Sequence, residues 1–226
     1  MANSVWRVAD RWAPGDTAEV LLQLGRLDQA IGSREGGSLA RGAVSGPAAV
    51  SWIHDPTHPV PWLVRSEWRQ CADLPDESVV YDREDVATFT SQAQETSVEI
   101  VGHVTAELQV EAPTSRTHVV TRLLDVYPSG RARLIVEGAA VAPTRSGQIR
   151  AEVDLGDTAY LLRQGHALRL AVSASCFPLY AVHRGTDGDL WNLGATTLVR
   201  QTLHSDRERP SLLRLFTRGG RLGSVS

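Results

Sequence analysis

The chain has 226 residues, is 42% hydrophobic and carries a formal net charge of -3, with a pI near 6.2. That is enough apolar material for one β domain, and it argues against global disorder and against a basic nucleic-acid footprint. All 23 basic residues are arginine, which excludes a P-loop lysine, a Schiff-base lysine and a Ser-Lys dyad; a genome-composition bias of the bacterial kind explains the excess.

Residues 1–20 read as an N-terminal arm carrying Trp6 and Trp12 and closing on Ala13-Pro14-Gly15. Indoles so near a terminus are costly to leave in water and anchor such a segment to a surface. Val20 to Leu24 is a predicted strand, and the glycine-rich stretch to Gly46 reads as turns with short strand pieces. Val50 to Ile53 leads into His54-Asp55-Pro56-Thr57-His58-Pro59-Val60-Pro61. Pro56, Pro59 and Pro61 keep this stretch out of sheets and helices. The Pro/Trp-rich region 54–75, with Trp62 and Trp68, is therefore a rigid surface loop.

Arg83 to Phe89 reads as a short strand with its lead-in. Val98, Ile100, Val104, Ala106, Leu108 and Val110 then alternate with polar residues, the period of a half-buried strand. Gly102 on its buried face marks a bulge or the close approach of another backbone. Val119 to Val136 predicts a hairpin, with Pro128 and Gly130 in its turn. Further strands are predicted at 149–155, 168–172, 196–204 and 211–217, and Tyr160-Leu161-Leu162-Arg163 suits one turn of helix. About eight to ten strands joined by turns indicate an all-β sandwich or barrel, here a single domain over 1–226.

The chain contains no G-x-S-x-G elbow, dinucleotide fingerprint, P-loop or His-Glu-x-x-His pair. His54 and His58 have the spacing of a helical zinc pair, but the prolines forbid that helix, and neither a metal site nor a cofactor is expected. Cys71 and Cys176 read as buried thiols of a reducing compartment. With no secretory signal and no apolar stretch long enough to span a bilayer, a cytoplasmic location is expected. Asp125, among apolar neighbours, needs a partner; Arg131 or Arg133 across the turn are the candidates. Arg83 and Asp85 share a side of their strand and suit a structural ion pair.

The hairpin also carries a resemblance. Leu123-Leu124-Asp125-Val126-Tyr127-Pro128-Ser129-Gly130-Arg131-Ala132 resembles the L-V-D-V-x-P-D-G-R-A segment of the C-terminal domain of X-Pro dipeptidyl-peptidase and cocaine-esterase-like (CocE/NonD) hydrolases. In the same order, Asp55 to Pro61 is similar to D-P-x-x-P-V-P and Arg83 to Val86 to R-x-D-V. Glu152 to Leu155 is similar to E-I-D-L, Arg163 to Leu170 to R-P-G-H-R-I-R-L, Ser173 to Pro178 to S-S-S-N-F-P, and His204 to Ser211 to H-D…P-S. The resemblance implies a jelly-roll β-sandwich of the galactose-binding type that packs on an α/β-hydrolase domain holding the Ser-Asp-His triad, with no catalytic residue of its own. Arg83, Asp85, Asp125, Tyr127, Gly130 and Arg131 are read as structural. The chain departs from the family at His118, at Cys176 and over Ala181-Val182-His183-Arg184, in loops where the sandwich would meet its partner domain.

Three readings follow. The preferred one is a non-catalytic module acting on a hydrolase domain or on a separate hydrolase subunit. The second is a free-standing jelly roll, which Met1 and the loop departures suit, binding a small molecule or sugar through His54, His58, Trp62 and Trp68. The third is a new activity recruited to the sandwich. The four tryptophans at 6, 12, 62 and 68 predict a surface patch met by a partner or a second copy, giving a homo-oligomer in the latter case.

Overall fold

A computed structural model describes residues 6–33, 35–42, 46, 48–63, 74–143, 149–188, 194–219 and 222. Among them are eleven strands: β1 Ala18–Gly25, β2 Gly37–Ala40, β3 Ala49–His54, β4 Val86–Thr90, β5 Val98–Glu111, β6 Arg116–Val126, β7 Ala132–Pro143, β8 Ile149–Leu162, β9 Ala167–Ser173, β10 Val199–His204 and β11 Leu212–Arg218. The helical elements are short 3-10 turns at Leu27–Gln29 and Glu77–Val80. No helix among the described residues is long and apolar enough to cross a membrane.

Hydrogen bonding runs β3-β10-β5-β11-β1-β2-β4-β9-β6-β7, with β8 on β5. The link between β2 and β4 is parallel and short, placing Gly37 opposite Phe89 and Ser38 opposite Thr90. It divides the path into two antiparallel halves that close on one core. Leu22 of β1, Ile100 and Leu108 of β5 and Leu213 of β11 meet Phe89 of β4, Leu123 of β6 and Leu170 of β9 in a single apolar cluster. Each such side chain contributes about 1.5–3 kcal/mol by leaving water. The result is the β-sandwich jelly roll expected. Val98, Ile100, Val104, Leu108, Val153, Leu168 and Leu170 all lie inside it; the side chain of Ile149 falls outside the described set.

The hairpin forms as its sequence requires. Asp125 pairs with Arg133 and Val126 with Ala132. Gly130 takes φ +86°, and its N–H donates to the Tyr127 carbonyl at 2.8 Å. At Gly102, with φ +132°, the close neighbours are side chains and not another backbone: a Cβ there would stand 3.1 Å from that of Ala13 in the arm, and the register shift of β5 falls at Val104/Thr105.

One expected helical turn is absent. Tyr160, Leu161 and Leu162 continue β8, opposite Ile100, Glu99 and Val98. The long free edge of β5 offers these residues a ladder, and their burial alternates accordingly. The strand expected at 196–204 starts at Val199, and the lead-in to β4 holds the 3-10 turn at Glu77–Val80.

β6 is buried on both faces. Val119 and Leu123 face the main core. Leu124 faces outward into a second cluster with Val60, Val80, Tyr81, Val86, Ala132 and Ala171. The 54–63 loop and the Glu77–Val80 turn therefore cover the outer side of β6 and β9.

Candidate interaction surface and its buried supports

The covered face is organised by a charge. Arg122, between Val120 and Leu124 on the outer side of β6, is 3% exposed. Its Nη1 donates to Glu77 Oε2 at 2.6 Å. Glu77 sits on the 3-10 turn capped by Asp76, whose carboxylate accepts from Ser78 N and Ala132 N. Burial pushes the Glu77 carboxyl up, opposed by Arg122. Glu137 of β7 is likewise pushed up by burial, and its Oε1 accepts from Trp62 Nε1 at 3.2 Å. Cys176 lies in the same environment, and burial raises its thiol to about 12, which leaves it un-ionised and inert at neutral pH.

At the neighbouring loop end three histidines converge. His54 Nε2 is 2.8 Å from the His183 carbonyl, and the His118 and His183 rings meet edge-on at 5.2 Å. Their exposures are 1%, 8% and 4% for His54, His118 and His183. Burial lowers all three imidazoles, His183 to about 4, so the trio is neutral at pH 7. Among the described residues no group of three or more His, Cys, Asp or Glu is placed to hold a metal ion.

Asp125 has partners other than the arginines expected. Its carboxylate accepts from Tyr160 Oη at 2.7 Å and lies 2.8 Å from His166 Nδ1. Arg133 stands opposite it in register, but β8 and the 163–166 turn bring Tyr160 and His166 to the carboxylate first. The Tyr127 ring packs at a tilt against His166, ring centroids 4.4 Å apart, and Arg131 reaches the Leu74 carbonyl at 3.2 Å. A carboxylate that orients an imidazole supplies two of the three members of a hydrolytic triad. Here its other partner is a phenol whose pKa burial raises, so the arrangement ties β6, β8 and β9 together. Arg83 grips Asp85 through two 2.7 Å hydrogen bonds and also reaches the His58 carbonyl.

The residues singled out for ligand binding are not brought together. His54 is buried. His58, 80% exposed at its side chain, pairs with Asp55 at 2.9 Å. Trp62 is half-buried against Glu137, and Trp68 lies outside the described residues. Sequence reasoning missed Arg122 and Glu137. The faint signal each carried was a charge with apolar residues two positions away on both sides, Val120 and Leu124 for Arg122 and Ile135 and Ala139 for Glu137.

A second region lies beneath the arm. Arg7 pairs with Glu99 at 2.6 Å, and Trp12 Nε1 donates to Asp157 Oδ1 at 2.8 Å. Trp6 and Trp12 remain 87% and 55% exposed. Between the arm, β5, β7 and β8 runs a groove of about 770 Å³.

Comparison with known proteins agrees with this architecture. Residues 1–214 match the family model of the X-Pro dipeptidyl-peptidase C-terminal non-catalytic domain. Cocaine esterase of Rhodococcus sp. (strain MB1 Bresler) is 30% identical over 201 residues, covering 83% of this chain and 35% of that protein. The chain thus spans about a third of that relative. An aminopeptidase from the marine sediment archaeon Thaumarchaeota archaeon superposes with a TM-score of 0.80 at 17% identity, over 95% of this chain and 39% of that one. An alpha-amino acid ester hydrolase does so with a TM-score of 0.72 at 23% identity, over 88% and 36%. The chain therefore belongs to the family of X-Pro dipeptidyl-peptidase C-terminal non-catalytic domains.

Proposed function

We propose that this domain is the non-catalytic module of a serine hydrolase of the cocaine-esterase and X-Pro dipeptidyl-peptidase type. It packs on an α/β-hydrolase domain, in the same chain or in a separate subunit, and supplies no catalytic group. The observation that carries this reading is the apolar surface left beside its covered face. Phe177 and Leu179 are 52% and 37% exposed, next to Trp62, whose backbone N–H donates to the Phe177 carbonyl at 2.7 Å. Large apolar side chains left exposed close together mark an interface. The cytoplasm suits the module, because Cys176 is a buried free thiol.

A fluorophosphonate probe tests the proposal in two ways. The isolated chain should not be labelled, because it lacks an activated serine. Captured from extracts of its own cells, the tagged chain should bring down a labelled hydrolase, and Phe177→Asp with Leu179→Asp should lose it. Labelling of the chain itself contradicts the reading. So does retention of a labelled partner by the double variant; the absence of any labelled partner rules out a separate subunit and leaves only a hydrolase domain of the same chain.

A further inference from the structure

The groove beneath the arm has the features of a binding site, and it is independent of the docking reading above. β7 has a ladder only with β6, and β8 only with β5, among the described residues. Their free edges pinch together at Gly138, where a Cβ would stand 2.0 Å from the Asp154 carbonyl oxygen. Further along, residues 133–136 of β7 and 157–161 of β8 line the groove. Its volume, about 770 Å³, is that of small-molecule sites. Val101, Leu134, Ile135 and Val136 contribute apolar lining, and Trp6 and Trp12 line its arm side.

The charges are unbalanced. Arg7, Arg11, Arg133 and Arg218 line the groove against Glu99 and Asp157. Both acids are engaged: Glu99 by Arg7 and Arg218, and Asp157 by the Trp12 indole. Arg133 has no carboxylate partner among the described residues, and its Nε is buried without a hydrogen bond. A guanidinium at the edge of an apolar surface is best matched by a carboxylate, whose two oxygens take its parallel N–H groups in a low-dielectric setting.

We propose that the seam between β7 and β8 binds a monocarboxylate with an apolar, aromatic-sized body, its charge on Arg133 and its body between the apolar wall and the arm indoles. The probe pair is 3-phenylpropionate and the uncharged 3-phenylpropionamide, followed through the Trp12 indole N–H in ¹H–¹⁵N spectra of the whole chain. The acid should shift that resonance saturably, with the amide binding about tenfold more weakly or worse. Arg133→Gln should bring the acid down to the level of the amide. Should that variant not fold, the acid and amide compared on the unaltered chain still decide. Equal binding of the two would reduce the seam to an apolar groove and overturn the proposal. The absence of a saturable shift up to about 20 mM acid would overturn it too, as expected if the seam is instead filled by a polypeptide.

Discussion

Two ion pairs of equal length show how differently this sandwich covers its outer surfaces. Arg122 meets Glu77 at 2.6 Å with side chains 3% and 1% exposed. Arg7 meets Glu99, also at 2.6 Å, with side chains 53% and 21% exposed. The first pair lies under the 54–63 loop and the Glu77–Val80 turn; the second fastens the N-terminal arm over the β7/β8 seam. Charges taken out of water must be satisfied or the fold fails, whereas solvent screens the exposed pair almost to neutrality. The covering of β6 and β9 is thus part of the folded core, and the arm is a light strap.

The largest expected effect follows directly. Arg122→Ala strands the buried Glu77 carboxylate and should cost about 3–5 kcal/mol in urea unfolding. A loss below about 1 kcal/mol would mean that water reaches the pair. Next is the pinch of the seam. Gly138→Ala forces a methyl onto the Asp154 carbonyl, 2.0 Å from the ideal Cβ position, and should cost about 1–3 kcal/mol by overpacking. An unchanged midpoint would show that the β7 and β8 edges are free to separate.

The histidine trio sets a smaller, pH-dependent effect. The folded-state pKa values of His54, His118 and His183 lie below the ordinary 6.5, that of His183 at about 4. The unfolded chain therefore takes up protons first as pH falls. The stability these residues lend is complete above about pH 6.5 and is lost progressively toward about pH 4. Around the cluster, Asp55 and Asp85 favour protonation of His54, Asp187 favours that of His183, and Arg116 opposes it at His118 and His183. The loss should reach about 1–2 kcal/mol between pH 7.5 and pH 5.5, and His118→Asn with His183→Asn should flatten the slope. A slope that survives both replacements would assign the pH dependence elsewhere. At the bottom of the scale, Arg7→Ala should change stability by less than about 1 kcal/mol; a larger loss would make the arm integral to the fold.

The same contrast explains what the sequence made legible. β5 was readable because one of its faces sees water, so Val98, Ile100 and Val104 alternate cleanly with polar residues. The 126–132 turn was readable because Pro128 and Gly130 fix its backbone chemistry. Strand β6 gave its position but not its chemistry. Arg122 in a strand reads as a solvated face until the cover is known, and its partner is 45 residues away. His54 and His183 are 129 residues apart and meet only because β3 and the loop after β9 end on the same side. Tyr160 to Leu162 is too short and too uniformly apolar to show a period, so a strand tail read as a helical turn. The partners of Asp125 were mistaken because nearest in sequence was taken for nearest in space.

The two coverings differ in kind, a claim that amide hydrogen exchange across the whole chain can decide. Val120 to Asp125 and the Glu77–Val80 turn should exchange only through global unfolding, while residues 6–17 exchange through local opening that barely depends on denaturant. Arm amides protected to the same free energy as β6 would contradict the claim, and the N-terminal segment would then have to be counted as part of the core.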